Sequence, residues 1–274
     1  MGGFVTALQQ YPFLQNALIA GLLAAVACGL AGTFVVLKKI SFVTGGISHA
    51  VLGGVGVAVF LGYSPFAGAL VCALLFTVVL GLVNKRARQH EDTLIGALWA
   101  VGMSVGILFL YLTPGHQADL MGYLFGSILM VPRESLYRLA VLDAVVLVTV
   151  FVLFRQFIAI SFDEEHARVR GLPRTALYIM LLGVVALTVV VLMQAVGLIL
   201  VIALLTLPAA TAALFSRSPA AIVGWATLIG AVSTFAGIFG SFSLDIPAGP
   251  AMVLTAGAFY LAGLVLRAVS GRSA

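Results

Sequence analysis

Charged side chains are the scarcest class in this chain. Asp, Glu, Lys and Arg together make up 8% of its 274 residues, against 62% hydrophobic. A soluble domain carries about a quarter charged residues. A third of that supply cannot clothe a water-facing surface, which excludes a soluble globular protein, a disordered chain and a nucleic-acid-binding domain. Cysteine is nearly missing too: Cys28 and Cys72 both sit inside apolar runs, and no CxxC occurs. That removes a disulfide framework and a thiolate metal site. There is no GxxxxGK[ST] phosphate loop and no HExxH motif, so the chain supplies neither ATP energy nor a metalloprotease site. Ser48 and His49 are adjacent and point to different helix faces, which rules out a Ser–His dyad. Met1–Gln15 holds no Lys or Arg and lacks the basic region of a signal peptide.

What is present is apolar sequence in long runs. A bilayer-spanning helix needs about 20 such residues. Nine segments qualify: Asn16–Leu37, Val43–Gly62, Phe66–Val83, Leu94–Leu112, Leu136–Phe154, Ala176–Met193, Gly197–Phe215, Ala220–Phe239 and Ala251–Leu266. A membrane barrel would alternate apolar and polar residues. These runs are apolar on every face, so they predict helices, which satisfy their own backbone in lipid. The expected fold is all-α: one polytopic membrane domain over residues 1–274. The second span is rich in glycine, which lowers helix propensity; if it is broken, the count falls to eight.

Net charge is +5. Twelve basic residues (Lys38, Lys39, Lys85, Arg86, Arg88, Arg155, Arg168, Arg170, Arg174, Arg217, Arg267 and Arg272) fall in one set of gaps. Only Arg133 and Arg138 fall in the other. Under the positive-inside rule this alternation puts the N-terminus outside and the C-terminus in the cytoplasm.

Small residues mark helix seams. Gly45, His49, Gly53 and Gly56 share one stripe of the second span; Gly46, Ala50, Gly54 and Ala58 form the next. Gly102 and Gly106 repeat the spacing in the fourth span, and Gly230, Ser233, Gly237 and Gly240 do so in the eighth. Such spacing lets helix backbones approach closely. His49 is therefore beside a packed seam. It reads either as a metal-contacting imidazole or as a histidine hydrogen-bonded to Ser48 or a nearby carbonyl; the flanking glycines favour the first.

Other polar residues carry paired readings. Asp245, before Pro247 and Gly249, either draws a cation into the outer mouth or caps the ninth span. His116 and Asp119 on the outer loop meet a metal or a partner, or are simply solvated. Asp143 is mid-span, with Arg138 on another face, and reads as an interhelical acceptor rather than a cation relay. Pro208 interrupts the seventh span and frees the Leu204 carbonyl, for Thr206 or Thr211 to reoccupy; it is a hinge or a tolerated kink. Lys85–Asp92 reads as a solvated inner turn, with Asp92 or Thr93 capping the fourth span. In the inner connection Asp163 reads as an N-cap, with Glu164 and Glu165 in the first turn and Arg168 and Arg170 in the last. Gly171 and Pro173 then stop the chain. That predicts a short self-terminating helix at the cytoplasmic surface.

Several of these pieces together resemble a known family, the integral-membrane permeases of zinc/manganese/iron ABC importers. The matching pieces are Ser48-His49-Ala50 with its glycines, Asp92-Thr93 with Ile95-Gly96, and Leu124-Phe125-Gly126-Ser127-Ile128-Leu129. They continue with Phe162-Asp163-Glu164-Glu165-His166-Ala167 closed by Gly171-Leu172, Leu204 through Ala212, and Leu244-Asp245-Ile246-Pro247-Ala248-Gly249. The resemblance implies a homodimeric permease in the cell (inner) membrane. A cytoplasmic ABC ATPase subunit would sit under each copy, and an extracytoplasmic metal-binding protein would deliver the ion. It also implies that the Asp163–Gly171 helix docks in the ATPase as the coupling element. His49 and Asp245 become transient pathway contacts, and Gly46, Gly53, Gly54 and Pro208 packing or hinge positions. The chain departs from the family at Gly45, where many members carry an Asp one turn before the histidine.

The expected function is thus an ATP-driven importer subunit for a divalent metal, not an enzyme, with no permanently bound cofactor. Zn²⁺ comes first by ligand type, with Mn²⁺ and Fe²⁺ open. The alternative is a secondary carrier driven by an ion gradient, which often shows internal repeats and charged midplane residues; no repeat is present.

Overall fold

A computed structural model describes residues 2–86, 91–114, 126 and 128–270. Among the described residues eleven α-helices follow one another: α1 (Gly2–Gln10), α2 (Pro12–Leu37), α3 (Ser41–Phe60), α4 (Pro65–Arg86), α5 (Glu91–Leu112), α6 (Arg133–Phe162), α7 (Glu164–Val169), α8 (Arg174–Val196), α9 (Leu198–Phe215), α10 (Pro219–Leu244) and α11 (Ala248–Val269). A 3₁₀ turn at Ile128–Met130 precedes α6. Among the described residues there is no strand, and nine helices are long and apolar enough to cross a membrane. These are α2–α6 and α8–α11.

The glycine-rich second span is one unbroken helix, α3, so the eight-span alternative falls away. Lipid offers no partner for a frayed backbone, which outweighs the glycine penalty. α6 extends past the expected end at Phe154 to Phe162. No Gly or Pro interrupts residues 136–162, and 30 residues span about 45 Å. α1 was not expected; its Phe4 is buried edge-on against Phe235, Phe239 and Phe242 of α10.

The chain gathers into two compact units. One holds residues 1–36, 121–148 and 191–274. Its helices meet where side chains vanish: a Cβ on Gly32 would strike the Leu205 carbonyl, one on Gly29 the Thr227 side chain and backbone, and one on Gly237 would lie 2.5 Å from the Met252 Cα. The other unit holds residues 37–120 and 149–190. There α3 is packed against both α4 and α5, and a Cβ on Gly81 of α4 would strike Ile179 of α8.

Hydroxyls in these helices mostly bond backward along their own chain: Thr33 to the Gly29 carbonyl, Ser48 to Thr44, Thr188 to Val184 and Thr255 to Ala251, all at 2.7–2.8 Å. That is how a hydroxyl is satisfied where no water reaches.

Two expectations need correction. Pro208 does not interrupt the seventh span: α9 continues through it, and the proline is buried near Gly230 of α10. Nor do the threonines serve the Leu204 carbonyl, since Thr206 donates to Ile202 and Thr211 to Leu207. The chain's real break in this region is Gly197, with φ 84° between α8 and α9. Asp245 does not cap the ninth span. It ends α10 in the left-handed conformation, φ 54°, and Pro247 stands at the N-terminus of α11 without a side-chain cap. The turn is closed instead by the Ser241 hydroxyl, which donates to the Ile246 carbonyl.

Candidate functional site

The site starts from the seams of α3. Its two glycine stripes meet different neighbours. Gly53 and Gly56 lie on the α5 backbone: a Cβ on Gly53 would sit 2.7 Å from the Gly102 carbonyl, and Gly56 abuts Gly106 in the same way. Gly54 of the second stripe abuts Gly68 of α4, while Gly46 is covered by Ile95 and Phe76. Backbone thus approaches backbone on both sides of α3, and the helix is held at a fixed rotation. Gly68 was not anticipated, although its spacing of four from Cys72 marks a small-residue face; Cys72 donates to the Ala50 carbonyl at 3.3 Å. The α10 stripe is not one seam: Gly230 faces Ala25, Gly237 faces Met252, and nothing lies within 4 Å of a Cβ on Gly240.

That rotation sets His49. Its ring stacks on the Trp99 indole of α5, with centroids 4.4 Å apart and planes 7° from parallel. Ser48 donates to the Thr44 carbonyl, and among the described residues the buried His49 Nδ1 has no partner. An imidazole nitrogen held without a hydrogen bond is a ligand in waiting or a cost to the fold. One turn earlier, a Cβ on Gly45 would meet only Trp99, at 3.7 Å, and nothing lies within 4 Å of a Cβ on Gly96. Phe42, largely exposed, extends the aromatic cluster with its ring 5.9 Å from Trp99. Sequence reasoning missed Trp99; its signal was a tryptophan midway between Gly96 and Gly102.

The remaining candidates lie on other elements. Asp245 is exposed at the α10–α11 turn and belongs to the other compact unit. Among the described residues no group of three or more His, Cys, Asp or Glu is arranged to hold a metal. Asp143 is buried on α6, and among the described residues its Oδ2 has no partner. Arg138 is engaged elsewhere, with Ser135 and with Gln194 at 3.2 and 3.4 Å. His116, Asp119 and the Leu120–Phe125 run lie outside the described residues, as does Arg88.

The inner connection folds as a capped helix. Asp163 precedes α7, and its carbonyl accepts from the Ala167 amide at 3.1 Å. At the other end Gly171 has φ 74°, and the Leu172 amide returns to the Ala167 carbonyl at 3.1 Å. This is the Schellman closure, which needs a left-handed residue where glycine stands. Glu165 reaches Arg174 at 3.5 Å. Asp163 and Arg170 are exposed; the side chains of Glu164 and Arg168 lie outside the described residues.

Residues 10–267 match the ABC 3 transport family. This chain belongs to that family. An ABC 3 family member is a transport component rather than an enzyme, and nine apolar helices make this one a multi-pass cell-membrane protein. It is 43% identical over 258 residues to an uncharacterized membrane protein of Synechocystis, covering 94% of this chain and 92% of that one. It is 33% identical to the manganese import system permease protein ScaB of Streptococcus parasanguinis, over 94% and 92% of the two chains. Among solved structures, the family fold is shared with PsaBC from Streptococcus pneumoniae in complex with Fab, at a TM-score of 0.85 and 33% identity, covering 96% of this chain and 94% of that one.

Proposed function

We propose that this chain is the permease subunit of an ATP-driven importer of a divalent transition metal, acting as a single membrane domain paired with a second copy of itself. The family match over residues 10–267 carries the reading. Relatives named for manganese transport favour Mn²⁺ as the cargo over the Zn²⁺ expected from an imidazole alone. The N-terminus lies outside and the C-terminus inside, by the distribution of basic residues.

An extracytoplasmic binding protein delivers the ion, and Asp245 attracts it at the outer mouth. His49 gives it one transient nitrogen contact through Nδ1. A single weak ligand suits conduction, because a complete coordination shell would hold the ion. Below, α7 docks on a cytoplasmic ATPase subunit, presenting Asp163, Glu165 and Arg170 with Glu164 and Arg168. Gly171 fixes where the helix ends. Gly46, Gly53 and Gly54 keep α3 rigid between its neighbours, and Pro208 gives α9 a point of lower backbone cohesion.

The test is reconstitution with the ATPase and binding protein, measuring ATP-dependent uptake of Mn²⁺, Zn²⁺ and Fe²⁺ separately. Mn²⁺ uptake that is lost in His49→Ala at matched expression is the expected result. Uptake that persists without the ATPase subunit overturns the reading and returns the gradient-driven carrier.

A further inference from the structure

Lys38 joins three segments of one compact unit. It stands in the short turn between α2 and α3, followed by Lys39 in the left-handed region at φ 60° and by Ser41, the first residue of α3. Its ammonium donates to the Ile160 carbonyl at 2.8 Å and lies 5.6 Å from the centre of the Tyr178 ring. Ile160 belongs to the last turn of α6, where carbonyls have no partner within the helix and a cation is favoured. Tyr178 is in the first turns of α8, and a cation over its face is attracted to the ring. The two contacts bracket α7: α6 ends just before it and α8 begins just after it. The Glu165–Arg174 pair ties α7 onto the start of α8. On its other side Lys38 leads into α3, which carries His49 eight residues after Ser41, about 12 Å along the axis.

We propose that Lys38 is a positioning residue that transmits displacement of α7 to α3, so that movement at the inner surface resets the helix bearing His49. This rests on the reading of α7 as the ATPase-docking element. Lys38, Ile160, Tyr178, α7 and α3 all fall within residues 37–120 and 149–190, the same compact unit. The ammonium is a charged tie across that unit. Removing it leaves the membrane helices packed by their glycine seams but loosens α7 relative to α3.

Two measurements test this. In proteoliposomes with the ATPase and binding protein, Lys38→Met should keep ATP hydrolysis within about twofold, while metal uptake per ATP falls about five- to tenfold. Lys38→Arg, which keeps the charged donor, should restore the ratio. Separately, spin labels at Ser41→Cys and Val169→Cys, both exposed positions, report the α3–α7 distance without any partner; Cys72 is replaced by Ala and Cys28 is buried. The distance distribution should be narrow in the parent and in Lys38→Arg, and broad in Lys38→Met. An unchanged uptake ratio with an unchanged distribution overturns the proposal. If Lys38→Met does not accumulate in the membrane, Lys38→Gln takes its place in both measurements. If the parent chain does not assemble with an ATPase, the permease reading fails, and the label distance alone decides whether Lys38 fixes α7 against α3.

Discussion

The His49 imidazole lies flat on the Trp99 indole, 4.4 Å between ring centres and 7° from parallel, and among the described residues its buried Nδ1 has no hydrogen-bond partner. An aromatic partner holds the ring by its face and leaves its nitrogens uncommitted, whereas a hydrogen-bonding partner would occupy one of them. Stacking of this kind contributes about 0.5–1.5 kcal/mol. Trp99→Leu should therefore lower metal uptake about two- to tenfold at equal expression, and Trp99→Phe should retain most of it. Uptake by Trp99→Leu equal to that of the parent would separate the stack from transport.

The glycines of α5 predict opposite stabilities within two turns. A Cβ on Gly102 would lie 2.6 Å from the Ala50 Cα, so Gly102→Ala must push α3 away from α5. Overpacking of this kind costs about 1–3 kcal/mol. A Cβ on Gly96 meets nothing within 4 Å. Gly96→Ala should gain up to about 1 kcal/mol from helix propensity. Thermal unfolding in detergent should move down for the first and hold or rise for the second. The reverse order would mean that the α3–α5 seam is not what the backbone distances describe.

The packed faces of α3 and α5 were legible in the sequence because small residues at spacings of three and four let helix backbones approach, whereas the similar stripe on α10 splits between Ala25 and Met252. The sequence marked α3 as a closely packed helix without naming its partners, which are α4 and α5; the stop of α7 followed from Gly171, whose φ is 74°. What stayed hidden depends on register between distant segments. Trp99 stacks on His49 only because Gly53 and Gly102 fix the rotation of both helices. Asp245 does not cap α11 because it ends α10 in the left-handed conformation, which leaves Pro247 at the cap position. Pro208 read as a hinge or a tolerated kink, and α9 runs through it as one helix.

Gly171 is needed for its conformation and not for space: φ is 74°, and no atom lies within 4 Å of a Cβ placed there. A non-glycine residue in this region costs about 1–2 kcal/mol, with Asn tolerated best. Gly171→Pro cannot adopt it and should open the closure of α7 onto Ala167. ATP hydrolysis should then continue with little metal uptake, while Gly171→Asn stays close to the parent. Equal uptake per ATP in Gly171→Pro would remove the helix end from coupling.

Asp143 tests whether a buried carboxyl is part of the path. Among the described residues its buried Oδ2 has no partner, and Arg138 is turned to Ser135 and Gln194. A side chain that only fills an interhelical polar position tolerates its uncharged isostere. Asp143→Asn should keep uptake within about twofold and unfold at the same temperature to within a few degrees. Loss of uptake without loss of stability would instead make the carboxyl a participant in ion movement.

Asp245 combines two properties that separate by substitution. It holds a left-handed backbone at the α10–α11 turn, and it exposes a carboxylate there. Asn enters the left-handed region about as readily as Asp, so Asp245→Asn removes the charge and keeps the turn. Asp245→Gly removes the charge and relieves the backbone, and should be the more stable of the two by about 1 kcal/mol. A charge at the mouth acts on the encounter with the cation and is screened by salt. Both variants should therefore need more metal for half-maximal uptake, by about two- to fivefold at low ionic strength, with little change at saturation. The difference from the parent should shrink as salt is raised. If maximal uptake falls instead, and salt makes no difference, the carboxylate acts on the ion inside the path and not on its approach.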